Sequence, residues 1–198
     1  TRGRDAHARL LDEFGKGRAQ VLIGTQMIAK GLDFPEVTLV GAVLADTSLN
    51  MPDYRAPERT FQLLTQVAGR AGRADLPGQV VIQTYMPEHY AIRAAAAQDY
   101  RAFYDLEIAS RKMMKYPPYT DLYLFGFVGI QEAQVRAPTG RFLRALHALA
   151  TQDYTDVPMI VLDPTPAAVA RVAGKYRYKI LVKTVNNARM REMTARLL

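Results

Sequence analysis

Cysteine is absent from this chain of 198 residues, so it can form neither a disulfide nor a thiolate zinc site. The three histidines are scattered without ligand spacing, and no metal site is therefore predicted. No apolar run approaches the roughly 18 residues that a membrane span requires, and we expect no secretory signal. These absences argue against a membrane protein and a disulfide-stapled one, and they favour a reducing cytosol.

Positive charge is unevenly distributed along the chain, whose net charge is +7. Residues 171–198 contain eight basic residues and one acidic residue, Glu192. A local basic cluster of this kind indicates a polyanion partner more strongly than a diffuse excess does. The alternative is a basic edge strand and tail that contact only solvent.

The first part of the chain alternates between strand and helix patterns. Strands alternating with helices predict an α/β unit with a parallel sheet. The predicted helices are 5–15 and 57–68, and the predicted strands are 21–23, 37–44 and 79–84.

A second unit follows a helical stretch that begins after Pro87, breaks near Gln98 and ends near Met114. The segment Tyr116-Pro-Pro-Tyr119 predicts an extended linker, because each proline biases its predecessor away from the helix. The predicted domains are 1–86, a connector 87–119, and a small α+β domain 120–198. Within the last we predict strands 121–130, 157–163 and 176–185, helices 131–152 and 187–198, and a proline-rich loop 164–168.

The strand near residue 180 alternates in character. Tyr176, Tyr178, Ile180 and Val182 share one face, and the other face carries the cations Arg177, Lys179 and Lys183. One face can pack in a core while the other presents positive charge. For the two tyrosines, a place in the core is favoured over base stacking.

Two segments resemble motifs V and VI of the superfamily 2 helicases. They are Val21-Leu-Ile-Gly-Thr-Gln-Met-Ile-Ala-Lys-Gly-Leu-Asp-Phe-Pro35 and Gln66-Val-Ala-Gly-Arg-Ala-Gly-Arg73. Three further segments extend the likeness to the PriA family of replication-restart helicases over nearly the whole chain; they are 53–59, 116–119 and 174–183. Residues 32–33 are Leu-Asp, where some family members have two histidines, so any role of those histidines is absent.

The resemblance implies a RecA-like second helicase lobe, with helices on both faces of a parallel sheet whose first strand is truncated, followed by an α+β DNA-binding domain. Arg70 and Arg73 match the catalytic arginines that face the γ-phosphate of ATP. Gln66, Gly31 and Asp33 match ATP-binding positions. The DNA-binding residues expected from motif V and from the basic cluster are Thr25, Gln26, Lys30, Arg171, Lys175, Arg177, Lys179 and Lys183.

The family's first lobe holds the loop that binds ATP and Mg²⁺, and the chain contains no Gly-x-x-x-x-Gly-Lys-Ser/Thr sequence. The family's zinc is held by cysteines, and this chain has none. We therefore expect a C-terminal fragment that begins with its second lobe already under way. Alone, it should neither hydrolyse ATP nor unwind DNA.

The implied parent is an ATP-dependent 3′-to-5′ DNA helicase that recognises stalled or collapsed forks and starts primosome assembly in the bacterial cytoplasm, near the nucleoid. Its implied partners are forked or single-stranded DNA, primosome proteins, the single-stranded-DNA-binding protein and the loader of the replicative helicase. Two alternatives remain. One is a non-catalytic module that binds DNA and docks the primosome. The other is an excinuclease B-like repair lobe, whose motif V also resembles residues 31–37.

Overall fold

The structure is a computed structural model that describes residues 4–25, 34–69, 71 and 78–198. Its contacts divide the chain into unit 1, Thr1–Asp105, and unit 2, Leu106–Leu198. The finer division into 1–86, 87–119 and 120–198 stays a prediction.

Unit 1 contains helices and a small parallel sheet. The break predicted near Gln98 is present, because this residue adopts a left-handed backbone conformation, with φ of 53°, between two helices. The elements are α1 Arg4–Gly15, β1 Leu39–Ala42, a 3₁₀ helix Ala45–Thr47, α2 Ala56–Ala68, β2 Gln79–Ile82, α3 Tyr90–Ala96 and α4 Tyr100–Met113, which runs on into unit 2.

Strands β1 and β2 pair in parallel, from Leu39 opposite Gln79 to Ala42 opposite Ile82. Ala42 and Ile82 pack against the core that α2 and α3 form on one face of the sheet. The buried residues of that core include Phe61, Leu64, Ile92 and Phe103, and the Phe61 and Phe103 rings stack with their centroids 4.3 Å apart. A parallel sheet packed by helices confirms the predicted α/β class.

The strand predicted at 21–23 is wrong. Residues 21–24 have no regular secondary structure, and Ile23 is 89% exposed. Within the described ranges, the parallel sheet consists of β1 and β2 alone. An apolar run becomes a strand only where a neighbouring strand satisfies its backbone groups, and no described strand does so here.

Asp46 joins the carboxyl ends of the two parallel strands. It lies in the 3₁₀ helix after β1, and it accepts hydrogen bonds from the hydroxyl of Thr84 and from the amide of Tyr85, at 2.8 Å for the latter, both just after β2. The hydrogen bond from Thr84, followed by that from Tyr85, holds the pKa of Asp46 below its ordinary value. The charged carboxylate of Asp46 thus links the carboxyl ends of β1 and β2.

Unit 1 should therefore lose stability in acid through Asp46. A carboxylate whose pKa is lowered by folding contributes its full stability above the unfolded-state pKa, about 3.9, and loses it as the pH falls through the folded-state pKa. The difference in melting temperature between the wild type and Asp46→Asn should be largest near neutral pH and shrink below about pH 4. Circular dichroism melts over a pH series measure it. Asp12→Asn, which alters an exposed ion pair with Lys16, is the control. If the difference in melting temperature between the wild type and Asp46→Asn stays constant with pH, the charge of Asp46 does not stabilise the strand ends.

Unit 2 is an antiparallel sheet with helices on one face, as the predicted α+β domain requires. Strand β6 is central, because β3 pairs along one edge of it and β4 and β5 pair along the other. The elements are β3 Asp121–Gly129, α5 Glu132–Gln152, β4 Met159–Val161, β5 Thr165–Val172, β6 Lys175–Thr184 and α6 Ala188–Leu197.

Helices α5 and α6 cover one face of this sheet. Ile180 and Val182 are fully buried against Leu146 of α5 and Met190 of α6. At Gly129, a Cβ atom would lie 2.8 Å from Val135, so the end of β3 meets α5 only because this residue has no side chain.

The loop predicted at 164–168 is wrong, because β5 begins at Thr165. Pro166 lies opposite Tyr178, and the register shifts between Pro166 and Arg171. A proline is tolerated in an edge strand and at a bulge, where its missing N–H breaks no ladder. The two prolines near 165 therefore marked an edge strand.

No helix in the described part of the chain is long and apolar enough to cross a membrane.

Candidate nucleic-acid interface

A tight hairpin brings the predicted basic residues to the end of β6. Ala173 and Gly174 connect β5 to β6 with φ of 47° and 77°. A two-residue turn with both φ values positive matches the twist of the strands it joins. The turn places Val172 opposite Lys175 and Arg171 opposite Tyr176.

The face of the sheet away from the helices, which we call the open face, carries Arg177 and Lys179. Residues directly opposite each other in an antiparallel pair share a face. Val128 is opposite Arg177 and Leu124 is opposite Leu181. Leu124 is 63% exposed and Val128 60%, so neither α5 nor α6 covers this side.

The open face contains no acidic residue. Among the residues of β3 to β6, Asp121 is the only acid, and it shares the helix-covered face of Tyr123 and Phe125. Arg177 and Lys179 form no ion pair with any residue of unit 2, which the structure describes throughout. Two cations about 7 Å apart along one strand thus face solvent without a compensating negative charge.

Gly126 gives the open face a shallow depression beside Lys179. The two residues are opposite each other, and a Cβ atom added to Gly126 would meet nothing within 4 Å. Thr165 lies opposite Lys179 on the other side. A phosphate group lying over Gly126 can therefore approach the backbone, the ammonium group and a hydroxyl together.

The predicted cation Arg171 lies on the other face. Its guanidinium lies over the ring of Tyr176, 5.0 Å from the centroid, on the helix side of the sheet. Tyr178 is on that side too and donates a hydrogen bond of 2.6 Å to Glu132, which raises the pKa of the Tyr178 phenol above its ordinary value. The ring of Tyr178 is thus fixed beside α5, away from the open face.

Lys183 is not exposed with Arg177 and Lys179, which corrects its expected position. It is only 7% exposed. Its ammonium group donates a hydrogen bond of 2.7 Å to the carbonyl oxygen of Met114 and lies 3.6 Å from the centroid of the Tyr116 ring. The alternation of side chains correctly predicted the face of the sheet on which Lys183 lies. It did not predict that the connector before β3 covers that end of β6.

The connector is held at a second point near Lys183. Arg111, on α4, forms a buried ion pair of 2.7 Å with Glu107 and donates a hydrogen bond of 3.5 Å to the carbonyl of Pro117. Lys183 therefore fixes the segment 114–117 to β6, and Arg111 ties the same segment to α4. The buried Lys183 thus contributes to packing between β6 and the connector. Of the other cations on the open face, Lys175 and Arg177 are exposed and Lys179 is half-buried.

In unit 1, the structure describes two of the predicted site residues. Thr25 is exposed at a bend, and Gln66 is exposed on α2 near its carboxyl end. The remaining predicted positions, Gln26, Lys30, Gly31, Asp33, Arg70 and Arg73, lie outside the described residues. Their roles in ATP and DNA binding stay predictions.

The open face is suited to hold a sugar–phosphate backbone. Its cations neutralise phosphate charge, while Leu124 and Val128 can pack against sugars. The aromatic rings of β3, on which bases could stack, are on the opposite face at Tyr123, Phe125 and Phe127. Sequence reasoning missed Gly126, although a glycine inside a strand pattern is a signal of close backbone approach.

Comparison with known families agrees with both units. Residues 2–75 match the family described as helicase conserved C-terminal domain. Residues 112–198 match the family described as primosomal protein N C-terminal domain.

Several curated relatives are named replication restart protein PriA. The one from Bacillus subtilis is 43% identical over 198 residues, all of this chain and 24% of that protein. The one from Synechocystis is 46% identical over 183 residues, 92% of this chain and 21% of that protein. The one from Chlamydia muridarum is 43% identical over 192 residues, 94% of this chain and 24% of that protein. The chain thus spans about a quarter of the length of these relatives.

Proposed function

Since the chain belongs to the family of the replication restart protein PriA, we propose that it works as part of an ATP-dependent DNA helicase that restarts replication. The whole protein moves 3′ to 5′, recognises stalled or collapsed forks and starts primosome assembly. Unit 1 supplies the second lobe of the motor, and unit 2 supplies a DNA contact. The observation that carries the second role is the acid-free open face with Arg177 and Lys179.

The cofactors follow from the same assignment. ATP and Mg²⁺ bind between two lobes, and the first lobe, with the phosphate-binding loop, provides most of the ligands. This chain would contribute Arg70 and Arg73 to the γ-phosphate, with Gln66, Gly31 and Asp33 nearby. The zinc of the family would be bound by cysteines elsewhere in the protein. Without the first lobe, this chain should not turn over ATP.

The partners fall into two groups. The DNA backbone would contact Thr25, Gln26 and Lys30 of unit 1 and the open face of unit 2. The protein partners would be primosome components, the single-stranded-DNA-binding protein and the loader of the replicative helicase. The site of action would be the bacterial cytoplasm, at the nucleoid.

Removing two of the open-face cations, Arg177 and Lys179, should weaken DNA binding. Arg177→Gln with Lys179→Gln removes two charge-assisted phosphate contacts, and we expect at least a roughly tenfold loss of affinity at low salt. If both residues contact phosphates of a duplex arm, the slope of log K against log salt should fall by about 1.8 in magnitude. Fluorescence anisotropy of a labelled forked DNA, titrated at several salt concentrations, measures both quantities.

A matched control variant removes the same two positive charges from α4 instead of from the open face. Arg101→Gln with Lys112→Gln removes one arginine and one lysine from exposed positions, and both affinity and slope should stay near the wild-type values. If the open-face variant binds as the control does, unit 2 does not contact DNA through this face.

The alternative is a non-catalytic module that binds DNA and docks partners. One observation favours it: the exposed cations of unit 2 belong to a different unit of the chain from the predicted ATP-binding positions. ATP hydrolysis by the whole protein separates the two functions, because a docking module would retain DNA binding and show no turnover.

A further inference from the structure

We propose that the solvent face of α5 is a second binding surface for a nucleic-acid backbone, so that unit 2 holds two nucleic-acid segments at once. The proposal rests on the proposed function for the nature of the polyanion. Its own basis is a row of arginines on the helix layer, which we call the α5 row: Arg136, Arg141 and Arg144.

Helix α5 buries one side against the sheet. Val135, Thr139 and Leu146 are buried, and the Phe142 ring packs 4.7 Å from Phe125 between ring centroids. The α5 row lies on the remaining surface of the helix, where all three arginines are exposed. His147, also exposed, follows Arg144 by about one helical turn.

The arginines of the α5 row have no acidic partners, in contrast to Arg111, Arg189 and Arg196 of unit 2. Arg189 pairs with Asp156 at 3.3 Å, Arg196 pairs with Asp153 at 2.9 Å, and Arg111 pairs with Glu107. Within 106–198, all of which the structure describes, none of the three arginines of the α5 row forms an ion pair.

The one acid of α5 lies in its first turn. Glu132 accepts the hydrogen bond of Tyr178, and the remainder of α5, to Gln152, is free of acids. Arg136 is one turn from Glu132, and its charge opposes the rise in the pKa of Tyr178. Arg141 and Arg144 have no acid within one turn of α5, and they are the cations most available to a polyanion.

The shape of this surface suits a phosphate backbone. The rise of a helix places Arg136 and Arg144 about 12 Å apart along the axis. Exposed small residues lie near the arginines on this side: Ala137 follows Arg136, and Ala145 and Ala148 follow Arg144. The short alanine side chains leave room for a guanidinium group to approach a phosphate with two N–H donors.

The α5 row and the open face are on opposite sides of unit 2. Helix α5 packs on the side of the sheet that carries Phe125 and Phe127, whereas Arg177 and Lys179 are on the other side. A helix with its side chains is about 10–12 Å thick, so a short straight duplex that contacts one surface cannot reach the other. Occupation of both requires two segments, such as two arms of a branched DNA.

A bridging experiment with the 198-residue chain tests the proposal. Two short duplexes, one labelled with a donor and one with an acceptor, are mixed with the chain at low salt. The wild type should bind two duplexes per chain by sedimentation and produce energy transfer. The triple variant Arg136→Gln, Arg141→Gln, Arg144→Gln should bind one duplex, with the affinity of the open face kept within about twofold, and should lose the transfer.

Two further variants make the result unambiguous. Arg177→Gln with Lys179→Gln should also bind one duplex and lose the transfer, and the combination of all five substitutions should lose most of the remaining affinity. Arg93→Gln, Arg101→Gln and Lys112→Gln together are the matched control, which should bind two. Transfer that persists in the α5 triple variant overturns the proposal, since two copies of the chain would then bridge through their open faces.

The other outcomes are also decisive. One duplex per wild-type chain, lost on Arg177→Gln with Lys179→Gln, rejects the second surface and leaves the proposed function standing; the α5 row would then serve an acidic protein or solvent. If each chain binds one duplex and only the α5 triple variant loses it, the α5 row binds DNA but two segments are not bound at once. The same result counts against the open face as the DNA contact of the proposed function.

Discussion

In a protein that joins this chain to the first helicase lobe, Arg73→Ala should lower the rate of ATP hydrolysis by about 10³-fold or more. An arginine that reaches the γ-phosphate from the opposing lobe stabilises the charge that develops in phosphoryl transfer, and such arginines contribute about 10³ to 10⁵ to kcat. DNA binding should remain within about threefold of the wild type, because the open face lies in the other unit. Steady-state hydrolysis and DNA anisotropy on the same preparation measure the two effects.

Arg93→Ala is the control for this experiment, since Arg93 is an exposed arginine of α3 that pairs with Glu88. Its turnover should match the wild type. Arg73→Lys should recover little activity, because a lysine ammonium cannot reproduce the two-pronged contact of a guanidinium. Normal turnover by Arg73→Ala would show that the arginine is not part of the ATP site.

Lys183→Ala should lower the free energy of unfolding of unit 2 by about 2–3 kcal/mol. It removes a hydrogen bond from a charged donor, which contributes roughly 1.5–3 kcal/mol, and a cation–π contact at Tyr116, worth about 1–2 kcal/mol when desolvated. Relief of the cost of burying the charge offsets part of that sum. Hydrogen exchange of the β6 amides, at the buried residues Ile180 and Val182, measures the change within unit 2.

Two variants separate the sources of this loss. Lys183→Met keeps most of the packed aliphatic chain and should recover part of the stability, while Lys175→Ala, at the exposed hairpin end, should change it by less than about 0.5 kcal/mol. After correction for the unfolded fraction, Lys183→Ala should bind DNA like the wild type. Unchanged stability together with weakened DNA binding would place Lys183 among the DNA contacts after all.

The central strand of unit 2 illustrates what could be predicted from sequence. The alternation from Tyr176 to Val182 correctly gave the buried and open faces, because the period of a strand fixes the side of each side chain. It could not predict that Lys183 is buried. That depends on Met114 and Tyr116, which a strand pattern does not include.

The errors have physical causes of the same kind. Pro166 was interpreted as a loop residue, yet an edge position makes its missing N–H harmless. Residues 21–23 have the composition of a buried strand, yet a strand also needs a partner for its backbone. Gly126 has no side chain to signal its role, and only the pairing with Lys179 brings it into the candidate site. For the helicase arginines the basis remains the motif, since Arg70 and Arg73 lie outside the residues that the structure describes.

The most direct test of the open face as a DNA site is lysine footprinting of the 198-residue chain. Brief acetylation with and without forked DNA, read by mass spectrometry, reports each ammonium group separately. We predict that DNA protects Lys179 and Lys175, that Lys16, just after α1, is modified equally in both samples, and that the buried Lys183 reacts slowly in both. Equal modification of Lys179 with and without saturating DNA would contradict the account.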